Sequence, residues 1–268
     1  MEINRSNINE IIFKTELRPD KDYGQNFLIE PSICQKIVDA LEIDNDSILE
    51  IGPGLGSLTH FIAQTNAKLD AVDIDPRMVD FLRIVYQDNS NISIVENDIR
   101  KHDVSSYNKV IGNLPYNITT EAIQYFLTNA INAKRMVFMI QTEALNRFYD
   151  VKGKEYGPVS VLLHLLGTIE KLFTVKAGSF YPVPKCSSIV FAINVDQSKN
   201  RKEAIGAFVL AKKLFTNRRK TINNNLLNVL KNKELVSKLC TDLNVNPSSR
   251  PEDLSPETYL TIYRYLEK

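Results

Sequence analysis

Ser47-Ile48-Leu49-Glu50-Ile51-Gly52-Pro53-Gly54-Leu55-Gly56 is the stretch that decides the fold. Its first five residues read as a buried strand. The glycines then break the pattern, and Ser57-Leu58-Thr59-His60-Phe61-Ile62-Ala63 reads as a helix start. Strand, glycine-rich turn and helix form the nucleotide-binding layout of an open α/β sheet. Glycine lets the backbone approach a ligand without a Cβ in the way. A dinucleotide turn is spaced G-x-G-x-x-G and seats a pyrophosphate on the helix N-terminus. This one is spaced G-x-G-x-G and is preceded by an acid, Glu50. That carboxylate would repel a pyrophosphate but suits the ammonium of a methionine moiety. The pattern points to S-adenosylmethionine, and a plain tight turn is the alternative.

Two further acids fall where a nucleoside needs them. Lys68-Leu69-Asp70-Ala71-Val72-Asp73 reads as the second strand, and Asp73 lies at the distance where a carboxylate meets a ribose diol. Ile92-Ser93-Ile94-Val95-Glu96 reads as the third strand, followed by Asn97-Asp98-Ile99. Asp98 can accept from an adenine amino group, and the Ile99 N–H can donate to the ring. Either acid alone would pass for a solvated strand end.

A fourth strand, Lys109-Val110-Ile111-Gly112, runs into Asn113-Leu114-Pro115-Tyr116. These residues suit methylation of an exocyclic amine on a flat base. Such an amine is a poor nucleophile because its lone pair is delocalised into the ring. The Asn113 side-chain oxygen and the Leu114 carbonyl, held beside Pro115, can accept its two N–H bonds and free the lone pair. The Tyr116 ring can stack on the base.

Outward from these motifs, strands and helices alternate. Helices are expected over 32–41, 76–87 and 120–130, a strand over 136–140 and a last, antiparallel strand over 188–195. Alternation of this kind predicts a Rossmann-like, mainly parallel sheet with helices on both faces. Beyond a linker at 196–200, helices are expected over 202–215, 219–231, 233–241 and 256–267. The domains read as a polar, loosely held arm over 1–20, a methyltransferase domain over 21–197 and a small α-helical domain over 198–268.

Composition narrows the class. The 268 residues are 43% hydrophobic and 24% charged, as in a soluble globular protein. No opening segment resembles a signal peptide and no apolar run is long enough to span a bilayer, so a cytoplasmic protein is expected. Cys34, Cys186 and Cys240 are far apart, and His60, His102 and His164 lack metal-ligand spacing; no disulfide framework and no metal are expected. The net charge of +1 hides an asymmetry. Residues 199–268 hold 14 Lys plus Arg against 7 Asp plus Glu, a net +7, while residues 1–198 hold 19 against 25, a net −6. The basic part is the footprint of a polyanion. Arg218, Arg219 and Lys220 are its candidate RNA contacts, with a solvated helical face, an internal structural role for one arginine and a structural clamp between the two domains as the alternatives.

These motifs together resemble the ribosomal RNA adenine N6-dimethyltransferases, which include the KsgA-like small-subunit enzymes and the Erm resistance enzymes. Gly24-Gln25-Asn26-Phe27-Leu28 resembles the family's arm over the cofactor. Tyr156-Gly157-Pro158-Val159-Ser160-Val161 and Phe180-Tyr181-Pro182-Val183-Pro184-Lys185 match later segments, and the Phe of the second helps enclose the target base. Leu114, the phrase from Leu214 to Leu226 with its basic run on a helix, and the segment from Arg250 to Ser255 favour the KsgA-like branch.

The resemblance implies dimethylation of two adjacent adenosines near the 3′ end of small-subunit ribosomal RNA. An immature small subunit would be the partner, ribosome biogenesis the setting and a monomer the acting form. It implies Asn113, Leu114, Pro115, Tyr116 and Phe180 as catalytic residues. For the cofactor it implies Gln25, Asn26, Leu28, Glu50, Gly52, Gly54, Asp73, Ile74, Asp98, Ile99 and Asn113. A methyltransferase retargeted to another RNA site and a non-catalytic binding relative remain open alternatives.

Overall fold

The computed structural model of the chain describes residues 2–20, 24–115 and 118–267. In chain order its strands are β1 (Phe27–Leu28), β2 (Ser47–Ile51), β3 (Lys68–Asp73), β4 (Ile92–Glu96), β5 (Lys109–Asn113), β6 (Arg135–Gln141), β7 (Gly167–Val175), β8 (Phe180–Tyr181) and β9 (Ser188–Val195). Its helices are α1 (Ile8–Thr15), α2 (Pro31–Asp39), α3 (Thr59–Ile62), α4 (Pro76–Val85), α5 (Thr119–Asn129), α6 (Asn146–Tyr149), α7 (Pro158–Leu166), α8 (Arg201–Phe215), α9 (Ile222–Leu230), α10 (Lys233–Asp242) and α11 (Pro256–Leu266).

Seven strands form one sheet in the order β4-β3-β2-β5-β6-β9-β7. The pairs β2–β3, β2–β5, β3–β4 and β5–β6 are parallel, and β9 pairs antiparallel with β6. The chain order reverses on either side of β2, so the C-terminal ends of β2, β3 and β5 open on the crevice where such sheets bind ligands.

Alternation along β6 sorts the core. Phe138 lies between Phe126 of α5, on which it stacks, and the tilted ring of Phe191 of β9, with ring centroids 5.7 and 6.1 Å away. Val137 and Met139, one residue to either side, face the opposite cluster with Ile37, Val38 and Leu41. Helix α4 starts where its sequence says it should. Pro76 sits in the first turn, where its missing N–H costs nothing. Asp75 caps it by accepting from the Arg77 N–H.

The N-terminal segment is not the loose arm expected over 1–20. Ile3, Ile8, Ile11 and Leu17 are buried in a cluster with Phe27, Ile29, Leu55 and Met78. Each such burial is worth about 1.5–3 kcal/mol. Asn4 and Asn7 add a reciprocal pair of side-chain-to-backbone bonds at 2.8 and 3.1 Å. The polar residues between the isoleucines hide a packed element.

Packing divides the chain into two compact units. One comprises 1–143 with 170–195, the other 144–169 with 196–268. The change at 195/196 lies close to the linker expected from sequence, but 144–169 groups with the helices that follow it. The physical cause is α7, whose Val159, Val161, Leu162, Leu163, Leu165 and Leu166 are all buried. It packs against α8 and α11. The helix expected over 219–231 begins at Ile222, because Thr221 caps it by accepting from the Asn224 N–H. Arg218, Arg219 and Lys220 therefore lie in the turn before α9, not on a helix. No helix among the described residues is long and apolar enough to cross a membrane.

Candidate active site

The three strand-end acids converge. A cavity of about 350 Å³ is lined by Glu50, Asp73 and Asp98, by Gly52, Gly54, Ile74 and Ile99, and by Gln25, Asn26 and Leu28 of the arm. Asn113, Leu114, Pro115 and Phe180 line the same space. Tyr116 lies outside the described residues.

Each acid is held differently. Glu50, at the end region of β2, is fully buried, and its Oε2 accepts from the Thr59 hydroxyl at 2.7 Å. Burial pushes its carboxyl up to about 7, which Thr59 opposes and Asp73 reinforces. Asp73 ends β3. Its Oδ2 accepts from the Gly54 N–H at 3.1 Å and its Oδ1 from the Asp75 N–H at 3.0 Å. Burial still raises its carboxyl above the ordinary value, against those backbone bonds. Asp98 follows β4 and is pulled the other way, chiefly by hydrogen bonding to Arg100.

The glycine turn does what its spacing requires. Gly52 and Gly54 take φ of +60 and +56, the left-handed region that favours glycine. At Gly54 a Cβ would stand 3.1 Å from the Phe27 ring, so the arm lies directly on the turn. At Gly52 a Cβ would meet nothing within 4 Å. Ile74, half exposed, leads out of the cavity beyond Asp73.

The arm is tied down at several points. β1 pairs antiparallel with β8, setting Leu28 opposite Phe180. Ser57 Oγ donates to the Leu28 carbonyl at 2.7 Å. Gln25 has both ends of its amide engaged: its oxygen accepts from the Asp20 N–H and its nitrogen donates to Asp75 Oδ2, each at 2.9 Å. It lines the cavity, but its polar atoms brace the arm. Asp75 in turn holds Arg77 at 2.6 Å.

Asn113 ends β5, opposite Met139 of β6. Its amide nitrogen donates to the Asn26 carbonyl at 3.2 Å. The side-chain oxygen is thereby the end turned away from the arm, and it accepts no hydrogen bond among the described residues. The Leu114 N–H donates to the Met139 carbonyl at 3.0 Å, fixing the peptide that follows Asn113. The Pro115 carbonyl is engaged by the Thr119 hydroxyl at 3.0 Å. Phe180 is almost wholly buried beside them.

Sequence reading missed Ser57, Leu58, Arg100 and Ile118, which also line the cavity. Ser57 follows the glycine turn directly, and Arg100 follows Asp98 by two residues, so proximity to the motifs was the available signal.

The basic run splits. Arg218 donates from Nε to Glu252 and from Nη2 to the Gly153 carbonyl at 2.6 Å, and it sits 5.7 Å from the Phe215 ring centroid. Phe215 is in ring contact with both Tyr156 and Tyr259. All of these residues belong to the second unit. Arg218 is thus engaged inside that unit, holding Gly153, from the segment read as part of the first domain, and Glu252, from the second, rather than standing free as the RNA contact expected from sequence. Arg219 and Lys220 are exposed.

Comparison with known proteins points to one family. The family model of the ribosomal RNA adenine dimethylases matches residues 16–268. The ribosomal RNA small subunit methyltransferase A of Malacoplasma penetrans is 36% identical over 258 residues, covering 93% of this chain and 92% of its own. That of Alkaliphilus metalliredigens is 34% identical over 275 residues, covering 97% and 96%. A solved dimethyladenosine transferase from Plasmodium falciparum shares the fold, with a TM-score of 0.76 at 24% identity over 90% of this chain and 97% of that one. So does the 23S rRNA methyltransferase ErmE, with a TM-score of 0.69 at 22% identity over 91% and 100%.

Proposed function

This chain belongs to the ribosomal RNA adenine dimethylase family, and we propose that it methylates the N6 amine of adenines in ribosomal RNA with S-adenosylmethionine. The target we assign is a pair of adjacent adenosines near the 3′ end of the small-subunit RNA, in an immature subunit, with a cytoplasmic monomer as the acting form. One observation carries the reading. A single cavity joins three strand-end acids to an Asn113 whose amide nitrogen is already committed and whose oxygen, among the described residues, is not.

The lining fits the cofactor. The backbone at Gly52 faces open space, while carboxylates suited to an ammonium, a diol and an amino group stand at Glu50, Asp73 and Asp98. Leu58, Ile74 and Ile99 supply apolar surface for a flat base. Gln25, Asn26 and Leu28 hold the arm over these groups. When bound, the cofactor supplies an already activated methyl group on a sulfonium.

The chain's own residues then act on the amine. The Asn113 oxygen and the Leu114 carbonyl accept its two N–H bonds and draw the lone pair out of conjugation. Pro115 shapes the turn, and Tyr116 with Phe180 encloses the base. The methylated nitrogen is acidic enough to lose a proton to water, so no dedicated base is required. The exposed Arg219 and Lys220 serve the RNA backbone, and Arg218 serves the turn that presents them. The test is to incubate the protein with labelled S-adenosylmethionine and separated immature ribosomal subunits, then map the modified bases. Label confined to two adjacent adenines of the small subunit is the expected result. Label in the large subunit alone would favour a retargeted enzyme, and none in either a non-catalytic relative.

A further inference from the structure

Arg100 lines the cavity next to Ile99, and its guanidinium closes on Asp98. Nε lies 3.0 Å from Oδ1 and Nη2 lies 2.8 Å from Oδ2. The Arg100 backbone N–H donates to the same Oδ1, also at 3.0 Å. A carboxylate oxygen offers about two acceptor sites. Oδ1 already receives two donors, whereas Oδ2 receives one and keeps one. On its other side, Arg100 Nη1 lies 3.7 Å from Glu121 Oε2 in the first turn of α5. The guanidinium is therefore held between two carboxylates, one at the cavity and one on the helix that follows the Asn113–Pro115 segment. The same pairing keeps the Asp98 carboxyl ionised, below the ordinary carboxylate value.

We propose that Arg100 is a positioning residue that sets the nucleobase specificity of the cofactor site, by orienting Asp98 so that Oδ2 alone remains open to an exocyclic purine amine. The proposal rests on the reading that Asp98 meets the adenine end. A 6-amino purine donates an N–H to the open oxygen. A 6-oxo purine sets a carbonyl oxygen against it, and the two oxygens repel. The forked guanidinium matters because it fixes the carboxylate plane through two parallel bonds, which a point charge cannot do. Without Arg100 the carboxylate can rotate, and both oxygens become general acceptors for water.

The test measures S-adenosylhomocysteine and S-inosylhomocysteine by calorimetry at one ionic strength; the two differ at that position and at ring N1, an acceptor in adenine that carries a proton in hypoxanthine, and the N1 difference is common to every variant compared. Arg100→Gln is expected to lose about tenfold in affinity for the adenine ligand and little for the hypoxanthine ligand, so the preference narrows. Arg100→Lys is expected to recover part of the preference, because it returns the charge without the fork. Both variants should melt near the wild type, since the Arg100 side chain is nearly half exposed and its pairing with Glu121 is long. An equal loss for both ligands would overturn the proposal, because it would make Arg100 a general structural or electrostatic support. A gain for the adenine ligand would overturn it as well, making Arg100 a competitor for Asp98. Asp98→Ala separates this proposal from the reading beneath it. If Asp98→Ala keeps the full wild-type preference, the Asp98 assignment itself is wrong. If Asp98→Ala narrows the preference and Arg100→Gln leaves it intact, the role of Arg100 alone fails.

Discussion

The acids at the strand ends and the basic run before α9 look alike in the sequence: each is a group of three like charges proposed to share a ligand. In the structure the acids stay together and the cations separate. Glu50, Asp73 and Asp98 all hold protein donors and still line one cavity. Arg218 turns inward to Glu252 and Gly153, leaving Arg219 and Lys220 exposed. The difference is chemical. A carboxylate has about four acceptor sites, so it can brace the fold and meet a ligand at once. A guanidinium committed to a carboxylate and a carbonyl, and laid near an aromatic ring, has little left to offer a phosphate.

That comparison assigns neither charged region to the methyl-transfer step, which the proposed mechanism gives to uncharged Asn113. The largest effect is therefore expected from Asn113→Ala. By analogy with removing one preorganised hydrogen-bonding group from a reacting centre, turnover should drop roughly 10²–10³-fold. Cofactor affinity should change little, because only the bond to the Asn26 carbonyl is lost from the arm. Single-turnover rates and equilibrium binding on the same variant check this. Turnover within a few-fold of the wild type would return the chemistry to the charged groups.

Among the acids, Asp98→Ala should cost binding rather than rate. Losing a hydrogen bond to a charged group is worth about 1.5–3 kcal/mol, or ten- to hundredfold in affinity. It also leaves the Arg100 guanidinium without its cavity-side partner. Calorimetry on a folded variant decides it, and unchanged affinity would break the likeness among the three acids.

Glu50 gives a pH signature. Its carboxyl, pushed up to about 7 by burial, is neutral below that pH in the ligand-free protein. An ammonium ligand binds best to the ionised form. Affinity should be full well above pH 7, be halved near it and fall further as pH drops, by about tenfold between pH 8 and pH 6. The ligand's own amino group, ordinarily near pKa 7.7–8.0, gains its charge over the same interval and works in the opposite sense. Glu50→Gln removes the protein's part and keeps the ligand's. Subtracting the two profiles isolates Glu50, and superimposable profiles would place the ammonium elsewhere.

Much of this was legible because its signals are local. Strand, glycine turn and acid lie within ten residues of each other, so 47–56, Asp73, Asp98 and Asn113 could be placed on one sheet edge without coordinates. What was misread depends on distant partners. Ile3, Ile8 and Ile11 stand sparsely in a polar stretch, and their burial is visible only once Leu55 and Met78 are brought to them. α7 is apolar on nearly every side, so it shows no amphipathic period, and its partners α8 and α11 lie far along the chain. Arg218 and Arg219 are identical residues in adjacent positions. Only the presence of Glu252 and Gly153 beside the first distinguishes them.

That distinction yields the smallest effect and the sharpest test of the comparison. A cation that contacts RNA phosphate releases counterions, so removing it should flatten the salt dependence of binding by about one unit of slope. Arg219→Gln with Lys220→Gln should reduce the slope for immature small subunits by about two units. Its melting temperature should stay at the wild-type value, because both side chains are exposed. Arg218→Gln should do the reverse. It removes the partner of Glu252 and of the Gly153 carbonyl, so the melting temperature falls while the slope holds. Cofactor affinity should be unchanged in both, since every residue lining the cavity belongs to the other unit. If Arg218→Gln alone flattens the slope at constant melting temperature, the inward pairing gives way when RNA binds, and all three cations act together after all. If neither variant alters the slope, the RNA backbone docks on another face.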